Sequence, residues 1–279
     1  MNTRYSLTSD ELFAVKKDII AAERLLCSRS NHMNNPKRGR PYLEPLPDVG
    51  PYQVWLVDGA QIRKERDENF VYSGQHRHFR FIPAHELWLD RAIKPGERHF
   101  FILRLLTELR LMAHGANYDQ IEPQVNEIET RERRRALRQR VYPPTHLSTH
   151  QIIERIHKDL LQSLSNQHVK IWLVDGKAVR DYYCADYVAG GHDLFYDFIP
   201  SGEIWLEETL SPQERHFILV HELHERYLMG LGKDYPNAHL GETIIEDYYR
   251  DHPQELDQRL HEELGKQTLI KTLRRSCVI

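Results

Sequence analysis

The stretch Trp55-Leu56-Val57-Asp58-Gly59 returns in the same chain as Trp172-Leu173-Val174-Asp175-Gly176, 117 residues later. The same offset carries Arg63 onto Arg180, Gly74 onto Gly191 and Phe81-Ile82-Pro83 onto Phe198-Ile199-Pro200. It continues without a gap through Glu97-Arg98-His99-Phe100 and Glu214-Arg215-His216-Phe217 to Tyr118 and Tyr235. Roughly 25 of 67 aligned positions are identical, which marks a duplicated structural unit. Residues 52–122 and 169–239 are therefore expected to superpose.

Each copy opens on a helical pattern with a Ser or Thr cap signal, SDELFAVKKDIIAAERLL at 9–26 and STHQIIERIHKDLLQSL at 148–164. A proline-rich insertion at 34–51, present only in the first copy, reads as loop. The apolar runs around the Asp-Gly pairs read as β-hairpins, because that dipeptide favours a two-residue turn. A glycine loop, Gly190-Gly191-His192, leads to two short strands at 194–200 and 203–206. A helix through 214–232 follows, and PNAHLGETIIEDYYRD reads as another. The expected fold is α+β, a tandem duplication of a unit made of a helix, a four-stranded antiparallel meander and two helices. The expected divisions are a first repeat at 1–128, an Arg-rich helix extension with a proline linker at 129–147, a second repeat at 148–250 and a helical tail at 251–279.

With 279 residues, 40% apolar and 28% charged, the composition is that of an ordinary globular chain, long enough for one large domain or two modest ones. A formal charge of −3 points the chain as a whole toward neither nucleic acid nor membrane. Cys27, Cys184 and Cys277 are few and far apart, which suits a reducing compartment. With no apolar leader and no long apolar run, the expected location is cytoplasmic. The six arginines of ETRERRRALRQRVYPP read as a solvated helix face, with a nucleic-acid or acidic-partner patch at 131–140 as the alternative.

The chemistry concentrates in His221-Glu222-Leu223-His224-Glu225. On a helix, His221 and Glu225 lie one turn apart on the side that carries Phe217, Ile218, Leu228 and Met229. A carboxylate and an imidazole pointed at a core need each other, a third residue or a metal ion. Glu222 lies about a quarter turn aside, where a general base would stand next to an ion. On the following helix His239, Glu242 and Glu246 share one edge. Two or three N/O ligands with an open position suit a catalytic ion better than a closed structural zinc.

The duplication separates scaffold from site. His221 faces Arg104, Glu222 faces Leu105, His192 faces Gln75 and His239 faces Glu122, whereas Glu225 and Glu246 keep their carboxylates as Glu108 and Glu129. An arginine at 104 is expected to pair with Glu108 and make an ion unnecessary, leaving the first copy a degenerate partner.

The run from His221 to Glu246 resembles the zincin type of metallopeptidase, with Glu225 where that motif has its second histidine and His224 one place early. The resemblance implies metal-assisted hydrolysis. His221, Glu225 and His239 would hold a divalent ion, zinc ahead of manganese or iron, with Glu246 as substitute ligand or outer acceptor. Glu222 would be the base, and His192 would assist or orient an unknown substrate. The wider pattern of Val-Asp-Gly, Gly-Gly-His, Ile-Pro, Glu-Ile-Trp and His-Glu-x-x-Glu is similar to small bacterial and phage-borne proteins of unassigned function. Beside this stands a non-catalytic reading, a two-lobed binding or adaptor protein with a buried His/Glu network.

Overall fold

The computed structural model describes Lys17 and residues 41–139 and 147–276, without the side chains of 139, 240–244, 247 and 271–276. All but Lys17 of the expected helix at 9–26, and the side chain of Glu242, lie outside the described residues. The chain divides into two compact units, Met1–Pro143 and Pro144–Ile279. The first runs β1 (Tyr42–Val49), β2 (Tyr52–Val57), α1 (Gly59–Glu65), β3 (Ser73–Gln75), β4 (Glu86–Asp90), α2 (Arg98–Ala113) and α3 (Tyr118–Gln139). The second runs α4 (Thr149–Ile156), β5 (His157–Leu160), β6 (Lys170–Val174), α5 (Gly176–Tyr182), β7 (Gly190–His192), β8 (Glu203–Glu207), α6 (Pro212–Gly230), α7 (Tyr235–Asp251) and α8 (Leu256–Ser276). The fold is α+β, built from two similar units.

The sheets share one strand order, β1-β2-β4-β3 and β5-β6-β8-β7. They also share one register, with Trp55 opposite Trp88 and Trp172 opposite Trp205. The expected antiparallel meander is corrected in order and direction: β2 lies beside β4 and β6 beside β8 instead of the next strand in sequence, and these central pairs are parallel. Parallel neighbours need a crossover, and the Asp-Gly pairs begin it instead of closing hairpins. Asp58 accepts from the Gln61 N–H at 3.2 Å and Asp175 from the Ala178 N–H at 3.3 Å, so each caps a helix. The glycine lets that helix start press on a carboxylate. A Cβ on Gly59 would lie 1.8 Å from Asp90 Oδ2, and one on Gly176 would lie 2.2 Å from Glu207 Cδ. Buried arginines neutralise those carboxylates, Arg63 with Asp90 at 3.0 Å and Arg180 with Glu207 at 2.8 Å.

Three further local expectations change. Within 34–51, residues 42–49 form β1, an edge strand, where Pro45 and Pro47 cost no ladder hydrogen bond. Its counterpart β5 takes over from the helix expected to run to 164, which ends at Ile156. Tyr42 donates to Glu86 at 2.9 Å in one unit, and His157 meets Glu203 at 3.0 Å in the other. Tyr42 and His157 are 115 residues apart while Glu86 and Glu203 keep the offset of 117, so a two-residue slip hides the equivalence of the outer strands. Finally, Gly190–His192 is itself a strand, and no strand forms at 194–200.

Alternation along the second sheet gives it two cores. Ile171, Leu173, Ile204 and Leu206 pack with Phe217, Leu219, Val220 and Leu223 of α6, and Leu256 and Leu260 of α8 join them. The tail thus covers its own unit. Val174 and Trp205 turn to the other face, with Ile156, Val179, Tyr187 and Ile199.

Candidate functional site

Ser211 caps α6 through the Glu214 N–H at 3.3 Å, and Pro212 fits the first turn, fixing where the helix starts and which residues face inward. One outcome is that Glu222 lies over β7. A Cβ on Gly190 would stand 3.0 Å from its Oε1 and 2.7 Å from Ile218, so glycine makes the space.

His221, Glu225 and His239 converge, their candidate ligand atoms all within 4.8 Å of one another, and His192, Glu222 and Glu225 form an overlapping group of the same tightness. Glu225 is the hub. His192 Nε2 meets its Oε1 at 3.0 Å, while His239 Nδ1 lies 2.9 Å and His221 Nε2 3.7 Å from its Oε2. His192 Nδ1 accepts the Leu194 N–H at 3.1 Å, so the ring proton is on Nε2 and is donated to Glu225. Both ring nitrogens are engaged and the ring is fully buried, with Nε2 held on Glu225. His192 stands on β7 and not on the expected loop, next to Glu222 and Glu225.

Glu246 meets His221 Nδ1 at 3.0 Å through Oε2 and accepts from Arg250 through Oε1 at 2.6 Å. Arg250 continues to Glu214 at 2.8 Å and covers the Phe217 ring. With both oxygens engaged, Glu246 stands behind His221 and not among the atoms facing Glu225 Oε2. Sequence reasoning passed over Glu214 and Arg250. Their signal was present, since the 117-residue offset maps them onto Glu97 and Arg133, which form the same buried pair at 2.8 Å. His224, beside the motif, turns away to Glu263 of α8 at 2.8 Å.

No family model, curated protein or solved structure matches this chain.

The electrostatics of the cluster follow from burial set against opposite charge. Burial works to neutralise His221, but hydrogen bonds to Glu225 and Glu246 outweigh it and raise its pKa well above the usual histidine range. Burial likewise opposes the charge on Glu225, yet three imidazoles hold its pKa far below the ordinary value. Glu246, buried but bonded to His221 and Arg250, is brought down to about 2. For Glu222, burial dominates, and the adjacent Glu225 charge adds to it, pushing the carboxyl up to about 8. The cluster therefore carries a positive charge on His221 between two carboxylates, beside a third acid that holds its proton near neutral pH.

In the first unit a guanidinium takes that central place. Arg104 Nε reaches Glu108 at 3.3 Å and Nη1 reaches Glu129 at 3.2 Å, so the expected pair with Glu108 forms and extends to a second acid. Gln75 donates to Glu108 at 3.4 Å, as His192 does to Glu225. In both units the two buried glutamates are bridged by a cation.

Proposed function

We propose that the second unit binds one divalent ion through His221 Nε2, Glu225 Oε2 and His239 Nδ1, and that the bound form is a hydrolase of the peptidase type. The observation that carries this reading is the orientation of His221. Its Nδ1 is tied to Glu246, a buried carboxylate held in turn by Arg250, which leaves Nε2 aimed toward Glu225 Oε2. A histidine ligand held from behind by a carboxylate is the usual support of a metal site. Ligand bonds of about 2.0–2.2 Å place tetrahedral neighbours roughly 3.4 Å apart, so the 3.7 Å gap fits. The 2.9 Å approach of His239 must open by about half an ångström to match that spacing. The donor set, two imidazoles and one carboxylate, suits zinc, with manganese or iron next.

A divalent ion here would polarise a carbonyl oxygen and ease removal of a proton from water. The residues supply the rest. Glu222 is near enough to the cluster to accept and return that proton, and a nearby positive charge favours its ionised form. His239, with 42% of its side chain exposed against 14% for His221, marks the side from which a substrate reaches the cluster.

The test is the metal content of gently purified protein, followed by zinc titration of wild type, His221→Ala and Glu222→Gln. Stoichiometric zinc is expected in wild type and Glu222→Gln and not in His221→Ala. Cleavage of a mixed peptide and ester panel is expected in wild type alone. Wild-type protein that takes up no zinc, manganese or iron would sink the reading. A second reading, a non-catalytic module with a metal-free network, is favoured by the direct bonds of His192 and His239 to Glu225, which satisfy that carboxylate without an ion. Zinc uptake without turnover on any substrate would leave a metal-binding module.

A further inference from the structure

The C-terminal half of α3 carries five arginines between 131 and 138, and one of them sets the phase of the others. Arg133 is fully buried against Glu97 and Glu129 and stacks over Phe100 at 4.4 Å. With that residue turned inward, Arg131, Arg134, Arg135 and Arg138 are all exposed. Their spacing of i, i+3, i+4 and i+7 aligns them as one stripe about 10 Å long. Among the described residues none of the four has an ion pair, a hydrogen bond or a ring partner.

The duplication shows that the stripe is not scaffold. At an offset of 117, Arg133 returns as Arg250 and makes the same buried pairs. The four exposed arginines have no such counterpart, since Tyr248, Asp251, His252 and Glu255 stand in their places. The unit therefore folds without them, and one copy alone holds four exposed arginines with no partner among the described residues, in a chain whose net charge is −3.

We infer that this stripe docks the phosphate backbone of a nucleic acid, without reading its sequence. Guanidinium groups bind phosphate in a bidentate fork, and the length of the stripe spans two or three phosphates of a strand. Among the described residues none of the large exposed hydrophobics, Leu43, Phe195, Leu231, Tyr248 and Leu269, lies on it, so these residues give it neither the apolar wedge of a membrane-surface helix nor the anchor of a protein interface. This goes beyond the hydrolase reading and does not depend on it.

The experiment is fluorescence anisotropy of the full chain with a labelled mixed-sequence 20-mer, single-stranded and duplex, across a salt series. Binding in the micromolar range at low salt is expected, with log Kd rising by about 1.5 to 3 per decade of salt for two or three phosphates. Replacing Arg131, Arg134, Arg135 and Arg138 together by Gln is expected to abolish it, with circular dichroism unchanged, while Lys64→Gln keeps it. Absence of binding at low salt, or binding unaffected by the fourfold exchange, overturns the inference. So does equal or tighter binding of polyglutamate or of anionic phospholipid vesicles.

Discussion

His221 shows how much one residue's surroundings decide. The same helix position holds Arg104 in the first unit, and both side chains bridge two buried glutamates. A guanidinium brings its charge permanently, whereas an imidazole takes it as a proton or yields Nε2 to an ion. Copying the first unit into the second, as His221→Arg with Glu222→Leu, is therefore expected to keep the fold and abolish zinc uptake, read by circular dichroism and metal analysis. Glu246→Gln is a subtler probe. It retains shape and a carbonyl acceptor but loses the charge behind His221, so zinc affinity should fall by about 10–100-fold in a chelator competition. Unchanged affinity would mean that Glu246 does not support the site. The inward His221 and Glu225 were legible in the sequence because helical spacing fixes direction. The bonding of His192 was not, and Glu246 was left between ligand and outer acceptor, since both depend on which ring nitrogen meets which oxygen across separate elements.

At the scale of elements, the Asp-Gly dipeptides are the informative misreading. The pair is a strong hairpin signal when the two flanking strands are neighbours, but here the next strand pairs elsewhere. The sequence did hold the alternative, in an arginine four residues past each glycine and an acid at the end of β4 and β8. What it lacked was the strand order that brings them together. The two residues of the pair act separately, and mutation should separate them. Asp175→Ala removes a cap and a partly exposed contact with Lys158 at 3.7 Å, and should cost about 1 kcal/mol in chemical denaturation. Gly176→Ala forces a methyl group into the Glu207 carboxylate and disturbs a buried ion pair, so its cost should be clearly larger, about 3 kcal/mol or more. Equal costs would show that the close approach is unimportant. The helix at α3 carries a similar lesson. Of the six arginines read as a solvated face, Arg140 lies outside the described residues and four are exposed, but Arg133 lies in the core because Glu97 and Glu129 await it.

For the molecule as a whole, duplication was the most legible feature, since identity at a fixed offset needs no knowledge of structure. From β2 to the start of α3 the elements recur at that offset with the same pairing. Only the outer strand slips, and it was read as loop in the first copy and as helix in the second. The two units also differ in what they need. The first carries its cation in Arg104, so removing divalent ions should leave it untouched, whereas the second should loosen where an ion would sit. Hydrogen exchange with and without a chelator is expected to change along α6 and α7 and not along α2 and α3. A uniform response, or none, would argue against an ion in the second unit.

The shared register of the two sheets has a kinetic consequence. β2 and β6 present nearly the same residues to β4 and β8, so each strand is a plausible mate for the partner in the other unit. A chain refolding all at once from denaturant can join β2 to β8, a trap within a single molecule that dilution does not relieve. Synthesis from the N-terminus avoids it, because β2 and β4 emerge before β8 exists. The yield of native protein after rapid dilution should therefore stay below that of newly made chains even at protein concentrations too low for aggregation.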